Sequence, residues 1–195
     1  LLPEVREIVD HVADMVPDFR RIETDAAAWS AVAGLPSDLV PTTSTPAGMA
    51  MGMSRQPLTD RYTCCYANLM LPMHQHMLED KVTLAIRGTK RADLPRLPAY
   101  SGDTTCGYEL WLPLQDWSHE EIFCYLRSVD APICRVYEHR VNSPECARCP
   151  AWWSEGRAAY LRKYHPVLFD DYRARLALVA AEVAPHWQLL TKEMS

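Results

Sequence analysis

The chain has 195 residues, 48% hydrophobic and 23% charged, enough to bury one sizeable core and within the usual length of a single domain. A formal net charge of −5 argues against a general electrostatic grip on nucleic acid or on an anionic membrane. No apolar run reaches the length of a bilayer span, and the N-terminal stretch carries Glu4, Glu7 and Asp10 where a signal peptide is basic and then apolar. The expectation is a soluble, cytoplasmic protein with no membrane partner.

Val5, Ile8, Val9, Val12, Met15 and Val16 recur at helical spacing behind Pro3, so residues 3–16 read as an amphipathic helix. "FRRIET", 19–24, reads as a short strand, and a helix followed by a strand points to an α/β fold entered partway through. Ala26 to Ala33 reads as a helix ended by Gly34, and the proline-rich stretch 35–60 as a long loop of a functional or mobile kind. Leu69, Met73 and Met77 mark a helix over 65–78 that Pro72 interrupts early. "KVTLAIRG", 81–88, reads as a buried strand and "YELWLPL", 108–114, as a second one. "DWSHEEIFCYLRSVDAP", 116–132, reads as a helix opened by a capping box from Ser118 to Glu121 and stopped by Pro132. Beyond "ECARCPAWW" the chain reads as helical, with Ser154 as a cap and Pro166 dividing two helices.

The seven cysteines are an odd number, so a complete disulfide framework is excluded and metal or redox chemistry becomes the better expectation. Cys64 and Cys65 are adjacent, and a bridge between neighbours is strained. Eighty residues further on, "CARC" places Cys146 and Cys149 in a turn between Pro144 and Pro150, where a C-x-x-C can aim two thiolates at one metal. Cys106, Cys124 and Cys134 have no such spacing and read as structural or incidental. His74 and His76 stand two apart on a predicted helix, do not share a face, and read as non-ligands.

A second feature is basic. Residues 81–96 hold Lys81, Arg87, Lys90, Arg91 and Arg96 against Asp93, a local net charge of +4 in an acidic chain. At the end of a predicted strand such a cluster suits an anionic ligand. Gly88 would let backbone approach a phosphate or sulfate, and guanidinium groups match those oxyanions in pairs. A solvated surface loop is the plainer reading of the same residues.

Taken in order, the tandem cysteines, "IRGTKRADLPR" at 86–96, "PLQDWSHEEIFCYL" at 113–126 and "YEHRVNSPECARC" at 137–149 resemble the phosphoadenylylsulfate and adenylylsulfate reductases, most closely their phage and prophage branch. The resemblance covers roughly residues 3–165. It implies a three-layer α/β fold of the adenine nucleotide α-hydrolase type, incomplete at its N-terminal edge. One domain would fill 1–195, with an α/β core over 1–150 and a helical extension over 151–195. It also implies a 4Fe-4S cluster on Cys64, Cys65, Cys146 and Cys149, and a nucleotide loop formed by Arg87, Gly88, Lys90, Arg91, Asp93 and Arg96. Four soft thiolates suit iron and sulfide, and Trp111, Trp117, Trp152 and Trp153 are available as a shield from water. Zinc on four cysteines needs the same ligand count and stays open, as do ordinary buried thiols.

The family also carries a serine- and glycine-rich loop that cradles phosphates at a helix start, and a C-terminal cysteine that attacks the sulfate sulfur. Residues 1–195 contain neither, and Asn68 and Leu69 stand where the reductases place an arginine and a lysine. The expectation is that the phosphate loop precedes Leu1, has been lost, or comes from a second chain, which includes a homo-oligomer. The implied partners are an adenosine nucleotide (phosphoadenylylsulfate, adenylylsulfate or ATP) and a thioredoxin-like donor, and the implied activity is reduction of activated sulfate to sulfite. An ATP-dependent sulfur-transfer or nucleic-acid modification enzyme of the same fold is the enzymatic alternative. A non-catalytic regulatory protein that retains the fold is the other.

Overall fold

The computed structural model describes residues 1–53, 57–93, 99–139, 146–153 and 156–195. It is a mixed α/β protein in which helix predominates, and its described strands pair into two small parallel sheets. Two compact units make up the chain. The first holds Leu1–Leu71 and Cys134–Ser195, and the second holds Pro72–Ile133. Among the described residues no helix is long and apolar enough to cross a membrane.

The first unit opens with α1 (Pro3–Met15), where Pro3 occupies the first turn. Residues 19–24 form no strand: Arg20, Arg21 and Glu23 are exposed, and no neighbouring strand offers hydrogen bonds to the segment. Helix α2 (Ala26–Ala33) is capped by Asp25, whose carboxylate accepts from the Ala28 backbone N–H at 2.8 Å. Gly34 ends it at φ 90°, a conformation that favours glycine.

The stretch expected to be a long loop contains β1 (Leu35–Ser37), α3 (Pro46–Ala50) and β2 (Leu58–Asp60). The strands pair in parallel, Leu35 opposite Leu58 and Ser37 opposite Asp60, which requires the crossover that the intervening residues supply. Three-residue strands carry too little periodicity to be read from sequence. Helix α4 (Arg61–Cys65) follows β2 without a loop. Tyr66–Met70 then forms a π-helical turn just before Pro72. Pro72 has no N–H to give the Asn68 carbonyl four residues back, and the Thr24 hydroxyl donates to that carbonyl instead at 3.0 Å.

The core of this unit gathers Leu2, Cys134, Val136, Ala147, Tyr160, Leu161 and Tyr172. Helices α7 (Arg157–Tyr164) and α8 (Pro166–Glu193) supply its last three members, and Pro166 separates them as its spacing predicted. Ser154, expected as a cap, lies outside the described residues. Glu4 is buried beside this core. Its carboxylate accepts from the Tyr160 hydroxyl and lies 3.0 Å from His165 Nε2, fastening α1 to the C-terminal helices.

The second unit contains α5 (Leu71–Glu79), β3 (Leu84–Ile86), β4 (Glu109–Trp111) and α6 (His119–Ser128) and a smaller core of Ala85, Tyr108, Leu110 and Leu112, against which Met77 of α5 packs. β3 and β4 run parallel, Leu84 opposite Glu109 and Ile86 opposite Trp111. The expected buried strand is buried only at Ala85; Leu84 and Ile86 are exposed. Helix α6 carries the predicted capping box: Ser118 Oγ accepts from the Glu121 N–H at 3.2 Å, and Glu121 Oε2 accepts from the Ser118 N–H at 2.7 Å.

Candidate metal centre

Cys64 and Cys65 occupy the last turn of α4, whose start is fixed by Asp60. One Asp60 oxygen accepts from the Thr63 N–H at 2.9 Å and the other from the Thr63 hydroxyl at 2.5 Å. These bonds outweigh the cost of burial and hold the Asp60 carboxyl below the usual carboxylate range. Asn68, one turn beyond Cys64 and 9% exposed, donates its amide to the Cys64 carbonyl at 3.1 Å and lies 3.8 Å from the Cys64 sulfur.

The second pair sits on a turn closed by the Cys149 N–H donating to the Cys146 carbonyl at 3.2 Å. Ala147, Pro150 and Ala151 are buried and anchor this loop in the core. The Arg157 guanidinium, itself buried, donates to the Cys149 carbonyl. Trp153 folds back so that its indole N–H donates to the Pro150 carbonyl at 2.6 Å.

Contacts made by neighbouring residues bring the two pairs together. The Arg61 guanidinium lies 3.9 Å from the centre of the Trp152 ring and 3.1 Å from Asp38 Oδ1. The Trp152 and Trp153 backbone N–H groups donate to the two Asp38 oxygens at 2.9 and 3.0 Å. Tyr62 meets the Trp152 ring edge-on at 5.9 Å. The first turn of α4 is thus locked onto the residues just after Cys149.

None of the seven cysteines forms a disulfide. Burial pushes the Cys64 thiol up to about 12, and charge on Cys149, Cys65 and Cys146 pushes it the same way. Cys149, Cys65 and Cys146 therefore all lie within electrostatic reach of the Cys64 sulfur, although Cys146 is exposed. Burial and the three neighbouring cysteines thus both disfavour the Cys64 thiolate. A cationic centre inverts that balance and holds thiolates at neutral pH, so the donor chemistry fits a metal group. Among the described residues no three His, Cys, Asp or Glu side chains are arranged to hold a metal ion. A tetrahedral zinc needs its four sulfurs roughly 3.8 Å apart, given Zn–S bonds of about 2.3 Å. A multi-iron cluster spreads its ligands over several metal atoms and suits wider spacing.

The basic loop belongs to the second unit and is more neutralised than its sequence suggests. Lys90, 7% exposed, is paired with Asp93, and Arg91 Nε lies 2.7 Å from Asp116 Oδ1. His119 lies 3.6 Å from the same Asp93. Arg87 stands beside the Tyr108 hydroxyl, which His74 Nδ1 also approaches at 3.2 Å. Among the described residues a side chain added at Gly88 would meet only Leu114, at an ordinary 3.9 Å. Arg96 lies outside the described residues.

Sequence patterning missed Asp38, Arg61 and Asn68. Asn68 carried a signal, its position one helical turn from Cys64; Asp38 carried none, because its partners are 23 and more than 110 residues away. No family model, curated protein or solved structure matches the chain.

Proposed function

We propose that this protein is an adenosine-nucleotide enzyme of the sulfonucleotide reductase type that holds a 4Fe-4S cluster on Cys64, Cys65, Cys146 and Cys149. In this reading its two small parallel sheets belong to a three-layer, adenine nucleotide α-hydrolase arrangement. The observation that carries the proposal is the convergence of two cysteine pairs, 80 residues apart in sequence, in one unit of the fold. A bound cluster would supply a redox-active, polarising centre at these four thiolates. The chain's own residues do the rest. Asn68 donates toward the Cys64 sulfur, Trp152 and Trp153 cover the loop after Cys149, and Arg157 fixes the Cys149 carbonyl.

Arg87, Gly88, Lys90, Arg91, Asp93 and Arg96 are assigned to the phosphate or sulfate of the nucleotide. An incoming oxyanion would draw Lys90 and Arg91 from Asp93 and Asp116, while Gly88 lets the backbone come close. Among the described residues nothing in the packing around Gly88 requires a glycine, and a glycine there would let a ligand approach the backbone. Residues 150–195 contain no cysteine, so this stretch does not itself supply the thiol that attacks the sulfate sulfur. The pairing of Lys90 and Arg91 with carboxylates favours one second reading: a non-catalytic protein in which the cluster is a structural staple.

Anaerobic reconstitution with iron and sulfide tests the cluster. We expect a sulfide-to-iron charge-transfer band that is lost in Cys64→Ser and Cys149→Ser; one zinc per chain with no such band would defeat it. Titration with adenylylsulfate, phosphoadenylylsulfate and ATP, each against Arg87→Ala, tests the loop. Equal affinity of wild type and variant would remove the nucleotide assignment and leave the staple.

A further inference from the structure

Three residues distant in sequence form a clamp that pattern reading does not find. Asp38 lies just after β1, Arg61 opens α4, and Trp152 follows the C-x-x-C loop. The Asp38 carboxylate takes both consecutive N–H groups of Trp152 and Trp153, one on each oxygen, and Arg61 shares the first oxygen. Asp38 and Arg61 side chains are only 18% and 25% exposed, so these charge-assisted bonds are partly shielded from water. Trp152 has φ 62°, a left-handed conformation costly for a bulky residue. Strain of that kind persists only where surroundings over-determine the backbone. Here the Asp38 carboxylate holds the two amides while Arg61 covers the indole face at 3.9 Å.

We propose that Asp38, aligned by Arg61, is the positioning residue of the thiol site: it sets the distance between the Cys64–Cys65 pair and the Cys146–Cys149 pair before any metal is present. The assignment of the four cysteines as one site rests on the function proposed above. The clamp does not depend on which metal, if any, they hold. Without Asp38 the strained Trp152 backbone relaxes and the loop after Cys149 leaves α4. The thiols of each pair stay together; the two pairs part.

The test uses the full chain, metal-free and reduced, treated with dibromobimane, a short reagent that bridges two nearby thiols, with linked peptides mapped by mass spectrometry. Wild type is expected to give links from Cys64 or Cys65 to Cys146 or Cys149. Asp38→Asn keeps the shape but offers one acceptor oxygen, and its inter-pair links should fall about tenfold, as losing a charge-assisted bond implies. The Cys146–Cys149 link and the far-UV circular dichroism should not change. Equal inter-pair linking in both proteins overturns the proposal, as does its absence from wild type. If Asp38→Asn does not fold, Arg61→Met decides, since it removes the aligning cation and keeps the acceptor; there too a fall supports the proposal and no change overturns it. Iron and sulfide content after reconstitution separates the two ideas. Links that depend on Asp38, with no iron bound by wild type, leave the clamp standing and remove the cluster.

Discussion

At the scale of single residues, the half-buried sulfur of Cys64 is the one on which burial and the other three candidate ligands act together. Asn68 is positioned to donate to it. Hydrogen bonds to a cluster's sulfurs stabilise the more negative, reduced state. Replacing Asn68 by Leu should therefore shift the reduction potential of a reconstituted cluster to a more negative value, read by voltammetry, with iron content kept. Gly88 offers a different single-residue experiment. Its added methyl meets nothing closer than 3.9 Å, so Gly88→Ala should leave the melting temperature unchanged. If the backbone there approaches a phosphate or sulfate, the same variant should weaken nucleotide binding about tenfold, the loss of one charge-assisted bond, measured by calorimetry.

At the scale of elements, two helices owe their placement to a carboxylate. Asp60 caps α4, and Asp60→Ala should cost about 1 kcal/mol in denaturant unfolding and fray the turn that bears Cys64 and Cys65. Glu4 works through tertiary contacts. Burial opposes its charge, but hydrogen bonds from Tyr160 and His165 prevail and hold its carboxyl below the ordinary 4.5. A group depressed in this way stabilises the fold above its unfolded pKa, and the contribution is lost as pH falls through the lower folded value. Glu4→Gln should thus destabilise by about 2 kcal/mol at neutral pH, and the gap from wild type should close in acid, followed by thermal unfolding across pH 2–7. These two elements also mark what patterning can reach. The Asp60 cap lies next to its helix in sequence, whereas Tyr160 and His165 stand more than 150 residues from Glu4.

At the scale of the molecule, the first unit draws residues 1–71 and 134–195 into one body around a core that includes Ala147 of the C-x-x-C loop. A cluster joining Cys64 and Cys65 to Cys146 and Cys149 would close a long loop of chain, and whatever binds only the folded state stabilises it. Iron removal by a chelator should therefore lower stability by about 3 kcal/mol, the value for a ligand present at 100 times its dissociation constant. Amide exchange should rise in 61–65 and 146–153 while the β3–β4 pair keeps its protection. Uniform loss of protection would show that the centre is not local to this unit.

By itself the amino-acid sequence determined helices α1, α2 and α6 and the break between α7 and α8, but not α3 or α4. The 3.6-residue periodicity of 3–16, the capping box at Ser118, the stop at Gly34 and the break at Pro166 are all local interactions written within a few residues of one another. It also singled out the two cysteine pairs, because adjacency and C-x-x-C spacing are properties of the chain alone. Only the tertiary structure decided the rest. β1 and β2 are three residues long and exist because each lies alongside the other, whereas β3 and β4 fall within stretches whose pattern already read as strands. The basic loop is half neutralised by Asp93, which charge counting includes, and by Asp116, which only the folded geometry brings to Arg91. The two thiol pairs share one neighbourhood because Asp38 and Arg61 join backbone and ring groups from segments far apart in the chain. Such contacts form only when the chain has folded, since the entropy of bringing distant residues together is met by the whole core at once.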